Sequence, residues 1–171
     1  MSTSFDPAAL CTACGLCCSG ALFDFGPLAP EEVETAQDSG MAVLEAEDEF
    51  GFALPCPALD GACCTAYSSR PATCRTYRCQ LLRAAETGNV AVERALTIIA
   101  RAREAAASVI AQLPPGETIT DARRRRREAS ASNGAAVMIA PPGLMMALGM
   151  LDLMLDQHFR HASERQIMPR E

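Results

Sequence analysis

The chain has no lysine and no tryptophan, and its aromatic residues make up only 5%. All 15 basic residues are arginine, and the formal net charge is -6. An acidic surface without lysine does not suit a protein that grips nucleic acid or an anionic membrane, so neither partner is expected. Hydrophobic residues make up 49%, but much of that share is alanine and cysteine. Large apolar side chains are therefore scarce, and something besides a hydrophobic core must help to hold the fold. Residues 1–10 contain no basic residue and no apolar run of the kind a secretory leader needs, which leads us to expect a cytoplasmic protein. The longest uncharged apolar stretch, residues 129–151, is interrupted by Asn133-Gly134 and by Pro141-Pro142-Gly143. A membrane span needs ~20 mostly apolar residues in continuous helix, so none is expected there.

What the sequence does have is cysteine. Nine are present, all within residues 11–79. In a reducing compartment such thiols act as metal ligands or catalytic groups rather than standing disulfides, and an odd number cannot pair completely. The remainder of the chain is rich in Ala, Arg, Leu and Met. That step in composition divides the 171 residues into a cysteine-cluster region, 1–85, and a helical region, 86–171, as two small parts or one continuous domain. The turn residues Thr87-Gly88-Asn89 mark the boundary.

The first cysteine segment reads Cys11-Thr12-Ala13-Cys14-Gly15-Leu16-Cys17-Cys18. Its first three cysteines have the C-x2-C-x2-C spacing of bacterial iron–sulfur loops, and Cys56-Pro57 supplies the remote cysteine followed by proline that accompanies such loops. Further on stand Cys63, Cys64, Tyr67, Arg70-Pro71, Cys74-Arg75, Tyr77 and Cys79. Cys74 and Cys79 are separated by four residues, which is within the range of zinc-site spacings. The neighbouring side chains of Cys17 and Cys18 diverge, so the pair suits a cluster or two nearby sites better than one mononuclear ion. A zinc ion or an iron–sulfur cluster on four thiolates keeps negative charge, and Arg70, Arg75 and Arg78 are close enough in sequence to offset it.

These residues resemble the YkgJ-like cysteine-cluster family, also described as the CxxCxxCC zinc- or iron-chelating domain. The matching positions are Cys11, Cys14, Gly15, Cys17 and Cys18; Cys56-Pro57 with Leu59; and Cys64, Tyr67, Arg70-Pro71, Cys74-Arg75, Tyr77 and Cys79. The resemblance implies a metal-chelating module. The same cluster occurs in flagellin lysine N-methylases, which look like iron–sulfur proteins. Cys63 is extra to the pattern, which leaves Cys11, Cys14, Cys17, Cys18, Cys56, Cys64, Cys74 and Cys79 as ligand candidates, with Arg70 and Arg75 as residues beside the cofactor.

The expected fold is mainly α with irregular metal-bound loops, the cysteine half packing on three helices. Pro30-Glu31-Glu32 opens a short helix closed by Gly40. Residues 42–45 and 50–54 read as a hairpin around Glu47-Asp48-Glu49. Val92, Leu96, Ile99, Ala102, Ala106, Val109 and Leu113 recur at helical spacing over residues 91–112. A second helix starts near Thr120, capped by Thr120 and Asp121, carries Arg123 to Arg127 and ends by Asn133-Gly134. A third spans about residues 142–165, its stripe being Leu144, Leu148, Leu151, Leu155, Phe159 and Ala162.

Three weaker features favour plain structural readings. Asp152, Asp156, His158 and His161 share one helix but lack matching ligands elsewhere. Met146, Met150 and Met154 form a row that reads as core filler rather than a copper site. Five consecutive arginines sweep round the whole helix and read as a solvated segment balanced by Asp121 and Glu128, or as a contact for an acidic protein partner. The functional expectation is a metal-binding protein, with a [4Fe–4S] cluster preferred over zinc. A methyltransferase-like or redox enzyme using the cluster, or a metal-delivery or adaptor protein docking through the helical half, are the alternatives. The sequence has no Gly-rich phosphate loop or dinucleotide fingerprint to support an enzyme reading.

Overall fold

The computed structural model describes residues 6–46, 49–131 and 141–161. The expected turn at Glu47-Asp48, the break at Asn133-Gly134 and Ala162 lie outside them, while the last helix ends at His158, short of the expected residue 165. Helix dominates, with two small antiparallel sheets, as the sequence leads one to expect.

The cysteine segments were expected as loops, but the first is a helix, α1 (Pro7–Cys14). Asp6 caps it by accepting the Ala8 N–H at 2.9 Å, and Pro7 occupies the first turn, where its missing N–H costs nothing. Gly15 ends α1 at φ 67 and donates its N–H to the Cys11 carbonyl at 3.1 Å. A Cβ on Gly15 would meet Ala62 Cα at 3.1 Å, so glycine permits both the left-handed turn and the close approach of a second cysteine-bearing loop.

Strand β1 (Phe25–Leu28) follows, then a 3-10 turn (Pro30–Glu32) running into α2 (Val33–Asp38), where the short helix was expected. Strands β2 (Val43–Ala46) and β3 (Glu49–Ala53) form the expected hairpin, pairing Val43 with Phe52. β1 adds a third strand on the other edge of β3, one the sequence reading does not include. Its Gly26 and Pro27 have poor strand propensity. Packing supplies what propensity lacks: the Phe52 ring lies where a Gly26 side chain would stand, and the Phe25 ring covers Gly51.

The second cysteine segment is also more regular than expected. It contains the two-residue strands β4 (Leu59–Asp60) and β5 (Cys63–Cys64), then α3 (Ala72–Thr76) and α4 (Gln80–Glu86). The helices α5 (Val92–Ile110), α6 (Ile119–Ala131) and α7 (Pro142–His158) complete the chain. The cap of α6 is shifted from the expected Thr120: Thr118 Oγ1 accepts the Asp121 N–H at 3.1 Å, and Asp121 Oδ2 accepts the Thr118 N–H at 3.0 Å.

Helices α5 and α7 pack together. Leu144, Leu148, Leu151 and Leu155 form the buried ridge of α7, as expected. The buried face of α5 is Ala95, Ile98, Ile99, Ala102, Ala106 and Val109, a rotation of the expected stripe that leaves Val92 and Leu96 36% and 41% exposed. The buried face therefore combines the small residues Ala95, Ala102 and Ala106 with Ile98, Ile99 and Val109. Met146 and Met150 are likewise exposed, against the core-filler reading, because they sit about 200° round α7 from Leu144 and Leu148. Met154 does pack against the core. One buried cluster joins Leu16, Leu22, Phe23, Phe52 and Leu54 to Leu81, Leu82, Ile99, Leu148 and Phe159. Among the described residues, no helix is long and apolar enough to cross a membrane.

Candidate metal centre

Between α1, the β4–β5 hairpin, α3 and the start of α4 lies a cavity of about 370 Å³. Cys11, Cys14, Cys17, Cys18, Cys56, Cys64, Cys74 and Cys79 all line it, while Cys63 is exposed and does not. The pleat explains the difference within the vicinal pair on β5, where successive side chains point to opposite faces. The cavity floor is apolar, with Leu16, Leu22, Phe52, Leu82 and Phe159. Its lining includes one carboxylate, Asp6, and no histidine, so the donor set is thiol sulfur.

Local structure places these sulfurs around the cavity. Cys11 and Cys14 are three residues apart on α1 and share a face of the helix. Cys79 caps α4, its Sγ accepting the Leu82 N–H at 3.4 Å. The Cys56 N–H donates to the Cys18 carbonyl at 2.8 Å, bringing two distant segments together. Leu59 pairs with Cys64 across the β4–β5 ladder. Among the described residues, no three His, Cys, Asp or Glu side chains already stand around one point as a finished site. The eight thiols therefore border a shared space, and coordination requires their side chains to turn inward.

Burial pushes the thiols up: Cys14 and Cys74 to about 12, Cys18 and Cys79 to about 11. Cys17 is also raised, first by burial and then by the neighbouring sulfurs. Each is thus a neutral thiol near pH 7 when metal-free, and a metal must displace its proton. Opposing influences are in place. The backbone amides of Leu16, Ala58 and Leu82 favour charge on Cys14, Cys56 and Cys79 respectively. Arg70 acts in the same sense on Cys11, Cys18 and Cys74, Arg78 on Cys11, and Arg103 on Cys14. Arg70 stacks on Tyr67, its guanidinium carbon 3.8 Å from the ring centroid, and its buried Nε has no hydrogen-bond partner among the described residues. Arg75 also lines the cavity but is half exposed, bonding to the Arg70 carbonyl at 2.9 Å. Arg103 is on α5, 24 residues beyond the last cysteine, and no local pattern links it to the site.

A model of the family described as "CxxCxxCC: putative zinc- or iron-chelating domain" matches residues 10–97, more than half of the chain. The chain belongs to this family. The CxxCxxCC domain so defined runs from α1 into the first turns of α5 and contains all eight lining cysteines. No curated protein and no solved structure gives a significant match. A thiol donor set with nearby arginine fits the zinc or iron that describes the CxxCxxCC domain, and does not fit hard cations, which take oxygen ligands.

The other polar clusters have structural roles. Arg123 is 3% exposed rather than solvated, and donates to Asp152 Oδ1 at 2.7 Å and to the Ala21 carbonyl at 2.6 Å. Arg126 bonds to Asp152 at 2.6 Å and Arg127 to Asp24 at 3.2 Å. Buried Arg160 donates to Asp156 at 3.0 Å and to the Leu22 carbonyl at 3.2 Å. Asp152 and Asp156 are therefore partners of arginine. His161 Nε2 lies 3.3 Å from the Arg78 carbonyl oxygen. Arg124 pairs with Asp121, as expected, and Arg125 with Glu117, so that Asp121, Glu117, Asp24 and Asp152, rather than Glu128, balance the arginine run.

Proposed function

We propose that this protein holds [4Fe–4S] cluster iron on the thiolates of its CxxCxxCC domain, the ligands being Cys11, Cys14, Cys17, Cys18, Cys56, Cys64, Cys74 and Cys79. The observation that carries this reading is eight thiols around one roomy cavity. Four sulfurs on a single zinc, at about 2.3 Å each, would stand roughly 3.8 Å from one another and leave no such space. An inorganic core of iron and sulfide separates its protein sulfurs more widely, and the C-x2-C-x2-C spacing of Cys11, Cys14 and Cys17 supports the same choice. A bound cluster supplies one-electron redox chemistry, tuned by hydrogen bonds to sulfur and by exposure. The chain's own contribution is to orient the thiolates, to donate the amides of Leu16, Ala58 and Leu82, and to offset charge with Arg70, Arg78 and Arg103. The apolar floor keeps water away from the inner side.

Purification without oxygen, followed by metal and acid-labile sulfide analysis, tests the reading. Brown protein with iron and sulfide in equal amounts is expected. Colourless protein with stoichiometric zinc and no sulfide would overturn the cluster in favour of zinc, and folded protein with neither metal would overturn both.

A further inference from the structure

The eight lining cysteines are too many for one tetrahedral set of ligands, and the backbone already sorts them. Cys11 and Cys14 share a face of α1, and Cys79 caps α4, which packs against α1. After Gly15 the chain turns back, Ser19 N–H donating to the Gly15 carbonyl at 3.0 Å, and Cys17 stands in this turn. On the other side, Cys18 is bonded through its carbonyl to Cys56 N–H, and the Cys56 carbonyl accepts the Leu59 N–H at 3.1 Å, leading into the strand that pairs Leu59 with Cys64. Thr65 fixes the end of that ladder, donating its N–H and its hydroxyl to the Ala58 carbonyl at 2.8 and 3.0 Å. Cys74, on α3, borders the same cavity, and α3 is anchored by Ala72 N–H donating to Glu32 at 2.6 Å.

We propose that the cavity divides into two four-thiolate centres, Cys11, Cys14, Cys17 and Cys79 forming one, Cys18, Cys56, Cys64 and Cys74 the other. The dividing element is the single peptide between Cys17 and Cys18, whose side chains diverge to opposite centres. Cys17 and Cys18 are adjacent in the chain, which makes the two centres neighbours, and Arg70, lining the same cavity, serves as their shared countercharge.

This division rests on the thiolate ligation proposed above, but not on the identity of the metal. Reconstitution of the full chain with ferrous iron and sulfide should give about eight irons per chain, two cubes of four. Cys14→Ser and Cys74→Ser should each retain about half of the iron and a reducible cluster signal in electron paramagnetic resonance, and the double variant should retain neither. Four irons in the wild type, or complete loss from either single variant, would overturn the division while leaving the iron–sulfur reading intact. A titration of the unmutated, metal-free protein with Co²⁺ does not depend on any variant folding. Thiolate-to-cobalt absorption should rise to about two equivalents, as two tetrahedral sites require, and saturation at one would overturn the division. Two zincs per chain, halved in each single variant, would support the division and overturn the iron–sulfur reading.

Discussion

Cys63 and Cys64 are neighbours in the chain and opposites in the fold. Cys64 lines the cavity beside Cys56 and Cys74, whereas Cys63 faces solvent. Substitution separates their roles: Cys63→Ser should keep the full metal content of the wild type, and Cys56→Ser should lose at least half, measured as metal per chain after gel filtration. Equal loss in the two variants would refute the distinction. The spacing of Cys11, Cys14 and Cys17 pointed to a shared centre, and the resemblance to the cysteine-cluster family named the eight and set Cys63 apart; all eight line the one cavity. Arg103 was not legible. It reaches the Ala13 carbonyl at 2.9 Å from α5, a contact made only by the packing of two helices distant in sequence.

At the scale of elements, the readable signals were those with a strong period or a strong break. α7 was clear from its leucines, and α2 from Pro30 and Gly40. α1 was missed because cysteines disguised a short helix whose start, Asp6-Pro7, carries the ordinary signature of a cap and a first-turn proline. β1 was missed because its stability comes from aromatic rings over glycines of the partner strand, a tertiary effect. The phase of α5 was off only at its start, where Ala95 and Ile98 rather than Val92 and Leu96 turn inward. The connection of α6 to α7 was hidden as well, since its charges pair across 29 residues between Arg123 and Asp152. Asp152 is surrounded by Arg123, Arg126 and Arg160. Burial opposes its ionisation, but Arg123 and Arg126 outweigh that and hold its carboxyl below the usual range. Asp152→Asn would leave the buried guanidiniums of Arg123 and Arg160 short of countercharge, and should cost about 3–5 kcal/mol in chemical unfolding. Those two arginines hold the carbonyls of Gly20, Ala21 and Leu22, which begin two residues after Cys18, so metal affinity should weaken alongside stability. Unchanged stability would show that the network contributes nothing net.

At the scale of the whole molecule, the metal and the apolar core share one interior. Leu82, Ile99 and Phe159 belong to the core and also line the thiol cavity. The protonation state of the thiols is therefore part of the folding equilibrium, and its sign depends on whether metal is bound. In the metal-free protein, burial raises Cys14 and Cys74 from 9.0 to about 12, and Cys18 and Cys79 to about 11. The folded state then holds its protons more tightly than the unfolded chain does. That contribution to stability is complete below pH 9, falls as pH rises, and is spent once the folded-state values are passed. Metal reverses the dependence, because the ligand is the thiolate: acid competes for the sulfurs and alkali does not. Thermal unfolding across pH should accordingly show the metal-free chain losing stability above about pH 9, while the loaded chain holds there and fails as pH drops. If the two forms share one pH profile, the buried thiols do not exchange their protons for metal, and the interior cannot be the site where metal and fold are coupled.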